Sequence, residues 1–303
     1  MWFLFTIVTT LAWGVADLFY KKGADEADKY SHLKTAMIVG IVMGIHATYT
    51  LFTLDTAYNP VNLLKYLPVS LMYILSMTIG YFGLRYLELS ISSPIQNSSG
   101  AVTCLLCLIF LKERLEGITV LGVILVCVGM LLLGILEKKD AARMSSNNEK
   151  KYKIGLIALL IPVLYCIIDS LGTFFDAYYL DDFTTTPLVG VTADNIEDIA
   201  NISYEYTFLI CAVLIFVFLK IKKEKMQPKM QGNRIAAALF ETAGQATYVY
   251  AMSDRPAVSA PVISCYAVVS VILSRLFLKE KLTTGHYVVI GIVMAGIAIL
   301  GME

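Results

Sequence analysis

Acidic side chains lie in stretches of this sequence that are otherwise apolar. Asp17 follows Trp13 by four residues and Asp169 follows Tyr165 by four, so on a helix each acid shares a face with an aromatic ring. An acid beside a ring suits a cationic head group, which is attracted by the charge and by the face of the ring. A carboxylate in such surroundings can alternatively relay a proton.

A third acid, Glu241, begins a polar stripe on another apolar stretch. Gln245 and Tyr248 follow it at i+4 and i+7, which places the three on one face of a helix. The residues that we predict to bind substrate or couple protons are Asp17, Asp169 and Glu241. The residues that we predict to line the substrate site are Trp13, Tyr81, Asn97, Tyr165, Gln245, Tyr248 and Tyr266.

Several of these residues also have a structural interpretation. Asp17 lies four residues before Lys21 and could pair with it at the membrane surface. Tyrosines are enriched at membrane interfaces, and Asn97 could bond a neighbouring helix. His46 fits a packed or backbone-bonded residue, and no metal-ligand spacing joins the histidines, so no metal site is predicted.

The elements that carry these residues are long apolar runs. Of 303 residues 57% are hydrophobic and 16% charged, and the mean hydropathy is +0.70, whereas soluble domains carry about 25% charged residues. A helix that crosses a bilayer needs about 20 apolar residues. We therefore predict an all-α polytopic membrane protein with ten transmembrane helices. The ten runs cover residues 2–20, 33–54, 67–86, 92–111, 117–136, 154–176, 204–221, 234–252, 257–278 and 285–302.

The composition argues against several classes of function. The 24 basic and 24 acidic residues give a net charge of zero, so no nucleic-acid partner is expected. All six cysteines lie inside the apolar runs, where a thiol packs as a small apolar group. The chain has no G-x-x-x-x-G-K-[ST] phosphate-binding motif, so it is not expected to act alone as an ATP-driven pump.

The basic residues are divided unequally between the two sides of the membrane. The loops that follow odd-numbered runs hold 20 of the 24 lysines and arginines, and the other side holds four. Cytoplasmic loops carry the excess of basic residues. We therefore predict a protein of the plasma or inner membrane. The charge count places both termini and the acidic tract at 178–205 outside.

The chain contains an internal repeat. Residues 91–115 and 258–282 align without a gap at an offset of 167. Each copy holds five predicted helices, and because five is odd, the second copy must enter the membrane from the opposite side. The structural motif that the two copies share consists of Pro94, Glu113, Pro261 and Glu280.

The inverted repeat predicts the division of the chain and the type of function. The first five-helix repeat is residues 1–137, a cytoplasmic polar linker is 138–153, and the second repeat is 154–303. Inverted repeats recur in secondary transporters, in which a site near the bilayer midplane alternates in access between the repeats. Glu113 and Glu280 lie in tight turns beside basic residues, where we expect them to cap a helix or pair.

Trp13-Gly14 lies in the first run, and a proline is followed 18 residues later by Lys-Glu-Arg-Leu (112–115) or Lys-Glu-Lys-Leu (279–282). In these features the chain resembles the drug/metabolite transporter superfamily of the EamA type, over nearly its whole length. The resemblance implies carriers, often exporters, of amino acids, amines, sugars or nucleotide sugars, with no covalent cofactor. It also implies cytoplasmic termini, opposite to the charge count, which leaves the direction of transport open.

We therefore predict a secondary-active exporter or exchanger of a small polar metabolite, an amino acid or amine, and no enzyme activity. One alternative is an intramembrane enzyme in which Asp17 and Asp169 share a proton. Another is a membrane subunit that does not transport. The expected partners are a small-molecule substrate and the lipid bilayer. Proton coupling and a homodimer stay open.

Overall fold

The regular structure of this protein is helical. The computed structural model describes residues 1–25, 27–53, 58–86, 96, 98–115, 117–145, 156–226, 228–278 and 282–302, and these contain no strand. The helices are α1 (Trp2–Gly23), α2 (Ser31–Thr53), α3 (Val61–Lys65), α4 (Leu67–Tyr86), α5 (Ser99–Leu106), α6 (Ile118–Ser145), α7 (Leu156–Leu180), α8 (Ile196–Ile221), α9 (Pro228–Asp254), α10 (Pro256–Ser264), α11 (Tyr266–Leu273) and α12 (Thr284–Leu300). One π-helical turn follows α5 (Cys107–Leu111) and another follows α11 (Ser274–Leu278).

Much of the described chain is suited to a bilayer. Six helical stretches are long and apolar enough to cross a membrane, and three shorter apolar ones are Leu67–Gly83, Ser99–Leu111 and Thr284–Leu300. Large apolar side chains such as Leu4, Ile45 and Leu214 are more than 60% exposed, which fits a surface that faces lipid. The protein is therefore a multi-pass membrane protein, while the count of ten spans stays a prediction.

Helix α9 corresponds to the eighth predicted span, but it is not among these apolar stretches. It carries Arg234, Glu241 and Gln245, and all three side chains are buried by other helices. A helix surrounded by protein can carry polar groups that lipid would exclude, because its neighbours supply their partners. The polar stripe of α9 therefore faces the interior of the bundle.

The helices of the first half pack on those of the second. The most extensive pairings are α1 with α9, α2 with α8, α4 with α7, and α6 with α12, and α5 also packs on α10. At the α5–α10 crossing a side chain on Gly100 would collide with Ser264 and with the Ala260 carbonyl. Small residues at such crossings let two backbones approach closely.

Two predicted boundaries differ from the structure. Helix α6 continues to Ser145, so residues 138–145 of the predicted linker are helical, and residues 146–153 lie outside the described residues. The acidic tract at 178–205 is a loop only over 181–195, because α7 ends at Leu180 and α8 begins at Ile196. Glu197 and Asp198 occupy the first turn of α8, where negative charge stabilises the amino end of a helix dipole.

The chain breaks its helix just before the predicted ninth span, 257–278, and again within it. Arg255 precedes Pro256 and adopts a non-helical backbone conformation, as the residue before a proline tends to do, so α9 ends and α10 begins there. A second interruption lies at Cys265, whose N–H bonds the Val262 carbonyl at 3.0 Å. Pro261 lies buried inside α10. These breaks turn α10 and α11 toward the centre of the bundle, against α1.

Candidate functional site

A cavity between the two halves collects most of the predicted site residues. It contains about 860 Å³ of space not filled by protein atoms, part of which is continuous with solvent. The predicted residues that line it are Asp17, Asp169, Glu241, Trp13, Tyr81, Tyr165, Gln245, Tyr248 and Tyr266. Asn97, Pro94 and Glu280 lie outside the described residues.

Asp17 belongs to the wall formed by α1 and α11. Its Oδ2 accepts a hydrogen bond of 2.8 Å from Ser270 Oγ. Within the described ranges no ion pair of 4.0 Å or less joins Asp17 to Lys21. The partner of this carboxyl group is therefore a serine of the second half, and the surface pairing that its spacing allowed is not formed.

Asp169 occupies the facing wall, where α7 packs on α4. Its Oδ1 accepts a hydrogen bond of 3.2 Å from Ser76 Oγ. One turn later, Thr173 Oγ1 accepts a hydrogen bond of 3.0 Å from the Tyr73 hydroxyl. Asp17 and Asp169 thus each have their own serine donor, an arrangement unlike a pair of carboxyl groups that share one proton.

Glu241 joins α9 to α1. Its Oε2 accepts a hydrogen bond of 3.3 Å from the Tyr20 hydroxyl, and its backbone carbonyl accepts one of 3.2 Å from Trp13 Nε1. The Tyr20 ring lies 4.7 Å from that of Tyr81, measured between centroids. The carboxyl group is 8% exposed, so it is reached mainly through the cavity.

Trp13 forms an aromatic wall beside these acids. Its ring stacks on Tyr248 with centroids 5.1 Å apart and meets Tyr266 edge to face at 6.0 Å. The ring lies against Gly244, where an added side chain would collide with it. Gly244 therefore provides the space that lets the indole lie flat against α9.

The polar lining of the cavity is acidic and phenolic. Among the described residues, its lining contains three carboxyl groups and no lysine, arginine or histidine. The Tyr81 hydroxyl and Gln96 Nε2 are buried there without a hydrogen-bond partner among the described residues. No group of three His, Cys, Asp or Glu side chains in the described ranges is placed to hold a metal ion. The arrangement suits a cation that carries a hydrogen-bonding group.

Sequence reasoning missed several cavity residues. Tyr20 follows Asp17 by three positions, and Thr173 follows Asp169 by four, so both extend stripes that the sequence already marked. Following each helix face for one more turn would have found Tyr20 and Thr173. Tyr204, on α8, had no such signal.

His46 and Glu113 lie outside the cavity, and each makes a specific side-chain contact. His46 is an ion-pairing residue, with Nδ1 2.8 Å from Oε2 of the buried Glu205 between α2 and α8, where the sequence suggested packing or a backbone bond. Glu113 Oε2 accepts a hydrogen bond of 3.0 Å from the Ala257 N–H at the start of α10. Burial raises the pKa of Glu113, although this bond and the charge of Arg255 oppose the shift.

Comparison with known proteins identifies the architecture. The EamA-like transporter family matches residues 1–135 and 184–302 of this chain. Among solved structures, one named only "Crystal structure of protein" superposes with a TM-score of 0.66 at 13% identity, covering 99% of this chain and 96% of that chain. At this identity the likeness shows the fold alone. No curated protein matches the sequence.

Proposed function

The chain belongs to the EamA-like transporter family, part of the drug/metabolite transporter superfamily, and from this premise we propose that it is a secondary carrier of a small cationic metabolite, an amino acid or amine. The observation that carries the proposal is the cavity, in which Asp17, Asp169 and Glu241 lie beside aromatic rings and the described lining residues include no basic side chain. Charge and cation–π attraction both favour an ammonium group there.

We further propose that the carrier consists of ten spans in two inverted five-helix repeats. In the repeat α1 corresponds to α7, and α4 corresponds to α9. The α1–α9 pair therefore corresponds to the α7–α4 pair. Helix α2 likewise corresponds to α8 and α6 to α12, and each of these helices packs on its own counterpart. This pattern of pairing supports a two-fold relation between the halves and a site that alternates in access between them.

The proposed orientation places both termini outside a plasma or inner membrane, as the distribution of basic residues favours. A reporter that is active only in the cytoplasm, fused to the carboxyl end, should therefore stay silent. An active reporter would reverse the orientation and leave the proposed cavity chemistry unchanged.

The experiment that tests the substrate class is a thermal-shift panel on the purified protein. It compares amino acids, polyamines, choline-like amines, sugars and nucleotides, because a ligand that binds only the folded state raises its stability, by about 2.7 kcal/mol at 100 times its Kd. Amines should give the largest shifts. A response only to sugars or nucleotides would refute the proposed class, and no response to any compound would favour a membrane subunit that does not transport.

A matched pair of glycine variants on α9 separates the cavity from the rest of the helix. Gly244→Ala would press a methyl group into the Trp13 ring, whereas no atom lies within 4 Å of a side chain added at Gly232. We expect Gly244→Ala to weaken binding of the panel amine about tenfold, equivalent to about 1.4 kcal/mol, and Gly232→Ala to leave it unchanged. Equal affinities in the two variants would exclude the Trp13 wall from the site.

A further inference from the structure

A fourth acid lies buried beyond the cavity. Asp176 is on α7, two turns after Asp169, and it is 1% exposed. Its Oδ1 accepts a hydrogen bond from the Tyr66 hydroxyl, which belongs to the other half of the chain. Its Oδ2 is buried and has no hydrogen-bond partner among the described residues. A purely structural acid would be expected to have both oxygens satisfied.

Among the described residues, the titratable groups that interact electrostatically with Asp176 are phenols, and Lys65 of the adjoining α3 donates to the Pro187 carbonyl instead. Tyr66 faces Asp176 from the junction of α3 and α4, Tyr73 from α4, Tyr204 from α8 and Tyr248 from α9. Phenols are neutral at physiological pH. A buried carboxylate without a cationic partner is strongly unfavourable. In this closed arrangement the carboxyl group is therefore stable only with its proton.

The contact between Asp176 and Tyr66 lies where the two halves of the chain meet at one end of the cavity. Asn62 Nδ2 donates to the Val189 carbonyl at 2.9 Å, and the Val189 N–H donates to Asn62 Oδ1 at 2.8 Å. Lys65 Nζ donates to the Pro187 carbonyl at 2.7 Å. We call this closure the Tyr66 end, formed by residues 62–66, residues 187–189 and Asp176. Separating these segments would remove Tyr66 from Asp176 and admit water.

Two of the phenols near Asp176 also line the cavity on its other side. The hydroxyl oxygens of Tyr73 and Tyr248 lie 2.5 Å apart, and the Tyr73 hydroxyl donates to Thr173. We call these three hydroxyl groups the hydroxyl line, and among the described residues Asp176 Oδ2 is not bonded to it. Hydroxyl groups both donate and accept, so a proton that moves from Oδ2 onto this line can pass into the cavity.

We propose that Asp176 is the proton-coupling site of this carrier, separate from the acids that take the substrate, and this rests on the proposed function. When the Tyr66 end opens, the carboxyl O–H bond exchanges its proton with water, and the end closes again only with the carboxyl group protonated. The carboxyl O–H bond later breaks and its proton passes by the hydroxyl line to a carboxylate that lines the cavity. The Tyr66 end then holds an unpaired buried charge and opens again. Each cycle of closure therefore carries one proton.

The first test needs no substrate. Infrared spectra of the purified protein at neutral pH should contain the carbonyl stretching band of a protonated carboxyl group that disappears in Asp176→Asn. Asp181→Asn, which changes an exposed acid of the adjoining loop, should leave that band in place. The asparagine keeps an acceptor for Tyr66, so Asp176→Asn should also keep the melting temperature of the wild type. An unchanged spectrum would show that Asp176 is ionised and overturn the proposal.

The second test uses proteoliposomes and, as probe, the amine that gives the largest thermal shift. A gradient of one pH unit corresponds to about a tenfold accumulation ratio per coupled proton. Asp176→Asn should lose this accumulation while exchange of the amine at equal pH is retained, and Tyr66→Phe should reduce it with the same exchange. Full accumulation by Asp176→Asn would overturn the coupling role, as would equal loss of accumulation and exchange, which indicates a structural residue.

The two proposals fail in different ways. If the wild type moves no amine of the panel, the proposed function is refuted and the coupling role is refuted with it, whatever the infrared result. If the wild type exchanges amines and the infrared band is absent, only the assignment of Asp176 is refuted.

Discussion

The two halves of the chain are joined by different chemistry at the two ends of the cavity. The Tyr66 end is held by the Asp176–Tyr66 bond and by side chains that reach backbone carbonyl and amide groups of the loop at 181–195. The opposite end, which we call the Arg234 end, consists of Asp28, Ser31, Lys34, Glu224 and Arg234 together with the end of α1. It is held by the buried Lys34 and Arg234, which bond carboxylate, carbonyl and hydroxyl groups around them.

Lys34 is the centre of the Arg234 end. It is 2% exposed, and its Nζ lies 2.7 Å from Asp28 Oδ2 and 3.3 Å from Glu224 Oε2. Arg234 is 1% exposed, and it donates to the Gly23 carbonyl at 3.1 Å and to Ser31 Oγ at 2.9 Å. The Arg234 bonds and the Lys34–Glu224 contact cross between the two halves of the chain, as the bonds at the Tyr66 end do, and the Lys34–Asp28 pair lies within the first half.

The proposed repeat makes the two closures comparable residue by residue. At an offset of 167, Tyr66 corresponds to Asn233, which lies in the second turn of α9 and donates to the Lys22 carbonyl at 3.3 Å. At an offset of 152, Asp176 corresponds to Ala24 at the end of α1. Among the described residues, Asp176 has no cation within 4.0 Å, whereas the buried Lys34 and Arg234 lie beside carboxylate and backbone carbonyl groups. The difference predicts that protonation favours closure of the Tyr66 end and weakens the Arg234 end.

The largest expected effect comes from removing the central charge of the Arg234 end. Lys34→Met leaves the 7% exposed Asp28 carboxylate without its cation, and breaking a buried pair in this way costs about 3 to 5 kcal/mol of folding free energy. Thermal unfolding in detergent measures the loss. The exposed Lys29 provides a control, since Lys29→Met should change stability by less than about 0.5 kcal/mol. Equal stabilities of the two variants would show that charge does not hold this end.

A smaller effect is expected at the Tyr66 end. Asn62→Ala removes both bonds to the Val189 backbone, and each buried polar group left without a partner costs about 1 to 3 kcal/mol. Hydrogen exchange of residues 184–192 should accelerate in this variant and should stay at the wild-type rate in Asp194→Ala, which changes an exposed residue of the same loop. Unchanged exchange in both variants would remove Asn62 from the closure.

The smallest effect expected is the acid response of the Arg234 end. Burial acts to raise the pKa of Asp28, but the Lys34 ammonium, the Tyr30 N–H and the charge of Arg234 outweigh it, so this pKa lies below its ordinary value of 3.8. The stability that Asp28 contributes is therefore present above about pH 4 and is lost as the pH falls below it. Melting temperatures between pH 6 and pH 3 should fall more steeply for wild type than for Lys34→Met. Parallel profiles would contradict the assignment.

Much of the site was visible in the sequence because its residues follow helical spacing. Pairs four residues apart, such as Trp13 with Asp17, and the stripe that begins at Glu241 predicted faces that do meet at one cavity. The clusters at the two ends were not visible, because their partners are far apart in the chain. Tyr66 and Asp176 are 110 residues apart, and no local pattern links them.

The helix boundaries predicted from the sequence were wrong where charged residues were taken to mark loops. Glu197 and Asp198 made residues 178–205 appear to be a single polar connection, although acids in a first turn favour a helix. Similarly, Arg234 near the start of α9 suggested a span end, whereas its side chain is buried between the two halves. Burial of a charged group depends on its partners, and these are set by the fold.

The most direct test of the central claim is amine exchange across proteoliposomes. Preloaded amine should drive uptake of the labelled amine by the wild type, and Asp169→Asn and Glu241→Gln should each reduce the rate about tenfold or more, since a charge-assisted bond contributes roughly 1.5 to 3 kcal/mol. Wild-type rates in both variants would show that the acids of this cavity do not bind the transported cation.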